Sequence, residues 1–348
     1  MVVFQKNPFL IKLNNLEFWP LWFYYIPVWV QHFWLAVKVK NLFFFLSTNP
    51  AIDGFILSDS KYRTLNLVPE KYRPKTILIK KNTSASDIIK MMDLNEIAFP
   101  IILKPDIGYR GLGVHKIENS KTLKEFLGST KTTYILQEFI KSPLEIGIFY
   151  YRYPNEKKGH IPSITVKEFL TVTGNGKDTL ESLVLNNHRG VLLKDKLRNR
   201  FKDKWHYILK NDESVVLEWI GNHNRGTKFI NANHLIDDDL VHVFDELSHQ
   251  MDGFYFGRFD IKVASLDALK SKKYKILEVN GVGGEPTHIY DSSTSLFEMW
   301  GDLCFVWRIA ANIALINFNL GINKPTYKEA YGRWRAYRAY KTELKIQA

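Results

Sequence analysis

The chain is nearly devoid of cysteine: one residue, Cys304, in 348. That excludes an internal disulfide, and with it a small scaffold stapled by cystines. Cys304 lies in the apolar run Leu303-Cys304-Phe305-Val306, which points to burial rather than reactivity. There is no internal repeat and no low-complexity tract. The N-terminus lacks the charge order and small-residue cleavage site of a signal peptide, so a reducing cytoplasm is the expected location. No Gly-Lys-Ser/Thr triplet closes a glycine loop, which excludes a Walker-type phosphate loop. No convincing Ser/His/Asp or Cys/His set stands out.

Acidic residues are also in short supply: 36, against 48 Lys and Arg, for a net charge of +12. Such an excess favours anionic partners such as nucleotides, nucleic acids or anionic lipids. No nucleic-acid-binding motif accompanies it, so no nucleic-acid partner is expected. Apolar residues make up 45% and charged residues 24%, ordinary for a folded protein, and the length supplies core for two or three domains.

The richest pattern is Arg258-Phe259-Asp260-Ile261-Lys262-Val263, followed after a short polar connection by Ile276-Leu277-Glu278-Val279-Asn280-Gly281. Both segments alternate as strands do. The period of two puts Arg258 and Asp260 on one face, and Glu278 and Asn280 on one face. Paired, they gather two carboxylates, an amide and a guanidinium. Such oxygen ligands suit a hard cation, and the Arg fork suits phosphate. An ordinary hairpin with a polar outer face is the alternative.

Upstream, Phe99-Pro100-Ile101-Ile102-Leu103-Lys104 reads as an apolar strand ending in lysine. A loop with Gly108, Gly111 and Gly113 follows, carrying Tyr109 and Arg110, and Val114 and Ile117 suggest a return strand. Glycines let backbone N–H groups approach an anion, and Lys104 adds a point charge. The glycines lead into a strand rather than a helix, so this is not a dinucleotide fingerprint.

In order, Lys104 with its glycine loop, Gln137-Glu138-Phe139-Ile140, Arg258-x-Asp260 and Glu278-x-Asn280 resemble the ATP-grasp superfamily, with D-alanine–D-alanine ligases among the similar members. The resemblance covers roughly residues 61–320. It implies an α+β fold in which two subdomains sandwich ATP, and an ATP- and Mg²⁺-dependent (or Mn²⁺-dependent) ligase joining a small-molecule carboxylate to an amine through an acyl phosphate. It also implies roles. Gln137, Glu138, Phe139 and Ile140 match the linker holding adenine, and Glu145 the acidic position on the ribose. Lys61, Lys104 and Lys167 match phosphate-binding lysines, with Gly108, Gly111 and Gly113 in the phosphate loop. Asp260, Glu278 and Asn280 would hold metal, while Arg258 and Lys167 would act on the transferring phosphoryl group. Glu285, His288, Tyr290 and Asp291 follow the metal ligands and are candidates for the acceptor substrate; a capped turn is their alternative. The segment after Asn280 lacks the Pro-Gly-Met-Thr run associated with D-alanine recognition, so that substrate does not carry over. A nucleotide-binding membrane scaffold and an ATP-grasp phosphotransferase are the competing functions.

The expected layout is an aromatic N-terminal region over 1–60, a first subdomain over 61–140, a second over 141–322 and a basic helix over 323–348. In residues 18–45, twelve of 28 positions are aromatic. Pro20, Pro27, Gln31 and His32 interrupt the apolar run and Lys38 and Lys40 follow it, so lying on an anionic membrane surface fits better than spanning. Packing onto the enzyme core is the alternative. The tail should be a helix with an aromatic stripe (Tyr327, Tyr331, Trp334, Tyr337) and the bases Arg333, Arg335, Arg338, Lys341 and Lys345. Residues 47–83 read as irregular connection. Further helices are expected from Ser84 or Ser86 to Leu94, after a capping box at Asp178–Glu181, over 235–251 and over 296–315.

Overall fold

A computed structural model describes residues 7–53, 56, 58–108, 111–127 and 132–347, with side chains to residue 342. Tyr109 and Arg110 of the glycine loop and the side chain of Lys345 lie outside the described residues.

The chain opens with three helices, α1 (Pro8–Asn14), α2 (Leu21–Tyr24) and α3 (Ile26–Val39). Asn7 caps the first by accepting from Phe9 N, and Pro27 sits in the first turn of α3, where no N–H partner is lost. Next come α4 (Lys61–Asn66), β1 (Thr76–Ile79), α5 (Ala85–Leu94), β2 (Ile101–Pro105), β3 (His115–Ile117), α6 (Ser120–Leu127) and β4 (Tyr134–Glu138). These strands form an antiparallel sheet in the order β1-β4-β2-β3. Its core joins Ile77, Ile101, Leu103 and Leu136 to Ile88 and Met92 of α5 and Leu123 of α6. The segment 47–83 is therefore not simply connection: β1 pairs with β4 from Thr76↔Gln137 to Ile79↔Tyr134. Its four residues are too few to show an alternation against the surrounding prolines.

A second, larger sheet follows: β5 (Leu144–Tyr151), β6 (His160–Glu168), β9 (Lys228–Asn231), β10 (Phe256–Val263) and β11 (Tyr274–Asn280), in the order β11-β10-β5-β6-β9. Between β6 and β9 the chain inserts the ribbon β7 (Leu170–Thr173) and β8 (Ser214–Glu218), with α7 (Leu180–Asn186) and α8 (Lys194–Arg200) around Trp205. Thr179 alone caps α7, accepting from Ser182 N; the box expected from Asp178 to Glu181 does not form, because the cap sits one residue later.

Both faces of the large sheet are covered. Ile146, Ile148 and Tyr150 of β5 point to α9 (Asp238–His249) and α10 (Leu266–Lys270). Phe149 and Tyr151 point the other way, to α11 (Leu296–Asn319) and the inner side of α3. Side-chain alternation along one strand thus serves two cores. The aromatic N-terminal region is fixed to this second core. Asn49 accepts from Tyr255 N and Phe256 N and donates to Phe256 O (2.7–2.9 Å), and Asn317 Nδ2 donates to Ser47 O at 2.7 Å. Among the described residues, α11 alone is long and apolar enough to cross a membrane, and half of its most apolar stretch is buried in the molecule. The chain ends in α12 (Tyr327–Gln347); Trp334 and Tyr337 are partly covered, while Tyr327 and Tyr331 are exposed.

Candidate active site

A cleft of about 1040 Å³ lies between the two larger sheets. On its floor, β10 and β11 pair so that Arg258 faces Asn280 and Asp260 faces Glu278, with a bulge directly after Asp260. The four side chains anticipated from the alternation therefore meet. Arg258 Nε lies 3.1 Å from Asp260 Oδ1, and Asn280 Nδ2 donates to Asp260 Oδ2 at 3.2 Å. Lys167 arrives from β6, with Nζ 3.1 Å from Asp260 Oδ1 and 2.9 Å from Glu145 Oε1. Lys61, on helix α4 packed against β11, lies 3.2 Å from Glu278 Oε1.

Lys61 stands at the first position of α4 because Ser60 caps that helix, accepting from Arg63 N. Asp106, just after β2, fixes the same turn by accepting from Tyr62 N (2.8 Å) and Ser60 Oγ. Lys61 Nζ also donates to the Gly108 carbonyl, tying the glycine loop to β11 through Glu278. Lys104 is buried and donates to Leu277 O at 3.0 Å, one residue before Glu278. Gly108 and Gly111 line the cleft; Gly113 does not. Gly113 instead makes the turn itself, at φ +69° and with no room for a Cβ, which would sit 2.8 Å from Pro105 Cγ.

Electrostatics here are set by burial opposed by neighbours. Burial disfavours the Asp260 carboxylate, but Arg258 and Lys167 outweigh it and hold the group well below the usual range. Glu278 follows the same logic, with Lys61 and Lys104 as the opposing cations. Both carboxyls are thus held ionised. Burial likewise opposes the Lys167 cation, yet Asp260 and Glu145 prevail and raise it. At Lys104 burial wins over Glu278, and its pKa is lowered.

Other anticipated positions divide. Gln137, Glu138, Phe139 and Ile140 all border the cleft. Glu138 N is already bonded to Lys75 O (2.9 Å), and Gln137 Nε2 donates to Leu277 O (3.3 Å). Phe139 has Trp219 edge-on at 6.4 Å and Lys116 Nζ 4.7 Å from its ring centre. Glu145 borders the cleft, but its carboxylate faces Lys167 and, at 3.6 Å, Lys262. Glu285 accepts from Tyr25 Oη (2.7 Å) and from Tyr290 Oη, and Tyr290 lines the same wall.

His288 and Asp291 do not reach the cleft. His288 is buried between Ser163 Oγ (2.8 Å) and Asp302 Oδ2 (3.0 Å). Asp291 accepts from Asn231 N (2.7 Å) and from Ser293, and so closes a turn. The segment 287–290 is a 3-10 helix, whose roughly threefold repeat turns neighbouring side chains to different sides.

Several cleft residues escaped the sequence reading. Lys262 was within reach, since it continues the Arg258-x-Asp260 alternation. Glu17, Arg189 and His223 were not, because three distant segments meet there. Arg189 Nη2 lies 2.5 Å and His223 Nε2 2.9 Å from Glu17 Oε2, and His223 stacks on Tyr290 at 5.3 Å. Burial opposes the Glu17 charge, but His223 and Arg189 outweigh it and lower its pKa. The aromatic N-terminal region thereby supplies one wall of the cleft through Glu17, Phe18 and Trp19.

Residues 58–148 match the family model of the RimK-like ATP-grasp domain. The chain has an α+β fold, and over those residues it is similar to an ATP-grasp domain. The ATP-grasp match takes in Lys61, Lys104, the glycine loop, the 137–140 linker and Glu145, and ends before Lys167 and the β10–β11 pair. No curated protein matches the chain. Similar solved structures include the VanG D-Ala:D-Ser ligase from Enterococcus faecalis (16% identity, 73% of this chain and 62% of that one, TM-score 0.40). Others are a D-alanine–D-alanine ligase from Bacillus anthracis (13%, 75% and 69%, 0.43) and a bifunctional glutathione synthetase from Pasteurella multocida (14%, 75% and 36%, 0.37). The chain thus spans less than two thirds of the first of these, and at such scores the likenesses say nothing about substrate.

Among the described residues no group of three His, Cys, Asp or Glu could hold a metal unaided. Two ionised carboxylates and one amide oxygen nevertheless fit Mg²⁺ or Mn²⁺, hard ions that take one or two carboxylates and complete their shell with phosphate oxygens and water. The absence of sulfur and imidazole from the set disfavours zinc.

Proposed function

We propose that this chain is an ATP-dependent ligase that joins a small-molecule carboxylate to an amine. The observation carrying the reading is the convergence, in one cleft, of Asp260, Glu278 and Asn280 with Lys61, Lys104, Lys167 and Arg258. The family match to an ATP-grasp domain over the nucleotide half supports it.

In this reading the adenine rests against Phe139, Ile140 and Trp219, and the loop at Gly108–Gly111 and Lys104 hold the phosphates. Asp260, Glu278 and Asn280 would hold Mg²⁺, which supplies charge neutralisation between the triphosphate and an anionic nucleophile. Lys61 and Lys167, beside Glu278 and Asp260, would neutralise the phosphate oxygens. A substrate carboxylate oxygen attacks the γ-phosphorus and ADP leaves, giving an acyl phosphate. An amine nitrogen then attacks the acyl carbon; phosphate departs and the nitrogen gives up a proton. Arg258, beside Asp260 and the Glu285 carbonyl, would stabilise the oxyanion of that second step.

The test is substrate-dependent ADP release with a panel of carboxylates and amines, with mass spectrometry of the product. An amide is expected; a stable phosphoester would make the protein a phosphotransferase, and nucleotide binding without turnover a scaffold. Glu278→Gln should reduce Mg·ATP turnover by more than a hundredfold with an unchanged circular-dichroism spectrum, and a well-folded, fully active variant refutes the metal assignment.

A further inference from the structure

Helix α3 has two apolar faces, and only one is used. Val28, Leu35, Ala36 and Val39 are buried against α11 and the large sheet. On the opposite side Trp29 is 50% exposed, and Val30, Phe33, Trp34 and Val37 are between 61% and 78% exposed. These five residues and Ile26 fill an arc of roughly 140° at 3.6 residues per turn. They form a ridge, not a groove, and Trp22 of α2 is exposed just before it.

We propose that this ridge docks on an anionic lipid surface, with α3 lying in the headgroup plane. Charge complementarity argues for lipid. Only one acidic residue, Glu17, occurs in the first 52 positions, and it is buried against Arg189 and His223. Exposed bases stand at the C-terminal end of the ridge. Lys38 bonds Asn312 of α11, Arg308 is exposed one turn before Asn312, and Lys40 ends the helix. A second copy of the chain would offer these cations no acid, because the face itself carries none. Trp and Phe above a basic rim are the composition of helices that lie in the lipid interface. Spanning is excluded for α3: its 14 residues reach about 21 Å, short of the roughly 30 Å hydrocarbon layer, and its inner face belongs to the core.

Flotation tests this without reference to catalysis. The full chain is mixed with vesicles of phosphatidylcholine alone or with added phosphatidylglycerol, at low and high salt, and light scattering records its oligomeric state. Wild type should float with the anionic vesicles at least tenfold better than with neutral ones and be released by salt. Trp29→Glu/Phe33→Glu should stay in the soluble fraction with an unchanged melting temperature. If that pair fails to fold, Val30→Ser/Val37→Ser replaces it, with a partial loss expected. Neutralising Lys38 or Lys40 should weaken binding about fivefold each. Wild type remaining soluble at low salt, or a folded ridge variant floating as wild type does, overturns the proposal. So does a wild-type dimer that the ridge variant converts to monomer, which would make the face a self-association surface.

Discussion

Lys104 and Lys167 share one cleft, yet burial leaves them in opposite balance. Lys167 is held by two carboxylates and its charge is favoured in the fold, whereas Lys104 has a carbonyl as its nearest partner and its charge is disfavoured. Lys167→Ala leaves Glu145 and Asp260 buried with one cation fewer, so it should lower unfolding free energy at pH 7 by about 3–5 kcal/mol. Lys104→Ala removes a disfavoured charge and should cost clearly less; under the proposed function both variants should also impair nucleotide use. Denaturant titration of the two variants checks the ordering; equal losses would contradict it. Asp59, which also lines the cleft, gives a pH signature. Burial pushes its carboxyl up to about 7, despite Lys61 nearby. The folded state therefore retains a proton that the unfolded state loses near pH 4. Its contribution is complete below about pH 4 and is lost as pH rises through 7, on the order of 2–4 kcal/mol. Asp59→Asn should flatten that slope and be the more stable protein at pH 8; parallel wild-type and variant stability curves would exclude it.

At the scale of elements, strands and helices with strong local signals were legible in the sequence. The β10–β11 pair follows from alternation alone, and Ser84 caps α5 as its position suggested. What was hidden depended on partners far along the chain. Strand β1 exists because β4 lies beside it, and Glu17 matters because Arg189 and His223 come to it. Of the two alternatives for His288 and Asp291, acceptor contact or a capped turn, the fold places both in the turn and off the cleft, because proximity in sequence says nothing about direction on and just after a 3-10 helix. For α3 the sequence offered lipid or core as alternatives, whereas the helix has an outward face as well as a buried one. Backbone geometry also carries the site. Gly257, in β10, has φ +153°, and a Cβ there would lie 2.2 Å from the Asn280 carbonyl oxygen. Gly257→Ala should push the end of β11 away and shift Asn280 from Asp260. Turnover should fall at least tenfold and the protein should lose roughly 1–3 kcal/mol. Wild-type kinetics in that variant would show that the Asn280 position is not critical.

Across the whole molecule, the two sheets meet through contacts that converge on one strand. Lys104 of β2 and Gln137 of β4 both reach the Leu277 carbonyl of β11, and Lys61, whose helix packs on β11, reaches back through its backbone N–H to the Asp106 carbonyl after β2. A ligand in the cleft therefore touches the seam between lobes, and binding there should resist separation of both at once. At a hundredfold excess over its dissociation constant, Mg·ATP would add about 2.7 kcal/mol by mass action. For a chain of this size that is a rise in melting temperature on the order of 5 °C. With the metal chelated, ATP brings about four negative charges against the ionised Asp260 and Glu278, so the rise should shrink to under half. Lys104→Ala should reduce it as well, since a charge-assisted phosphate contact is worth about 1.5–3 kcal/mol. A protein carrying +12 attracts any polyanion, so inorganic triphosphate at matched ionic strength is the necessary control. Differential scanning calorimetry of the full chain reads all four conditions. An equal rise with chelator, or with triphosphate alone, would mean that the excess positive surface, and not the cleft, is what ATP recognises.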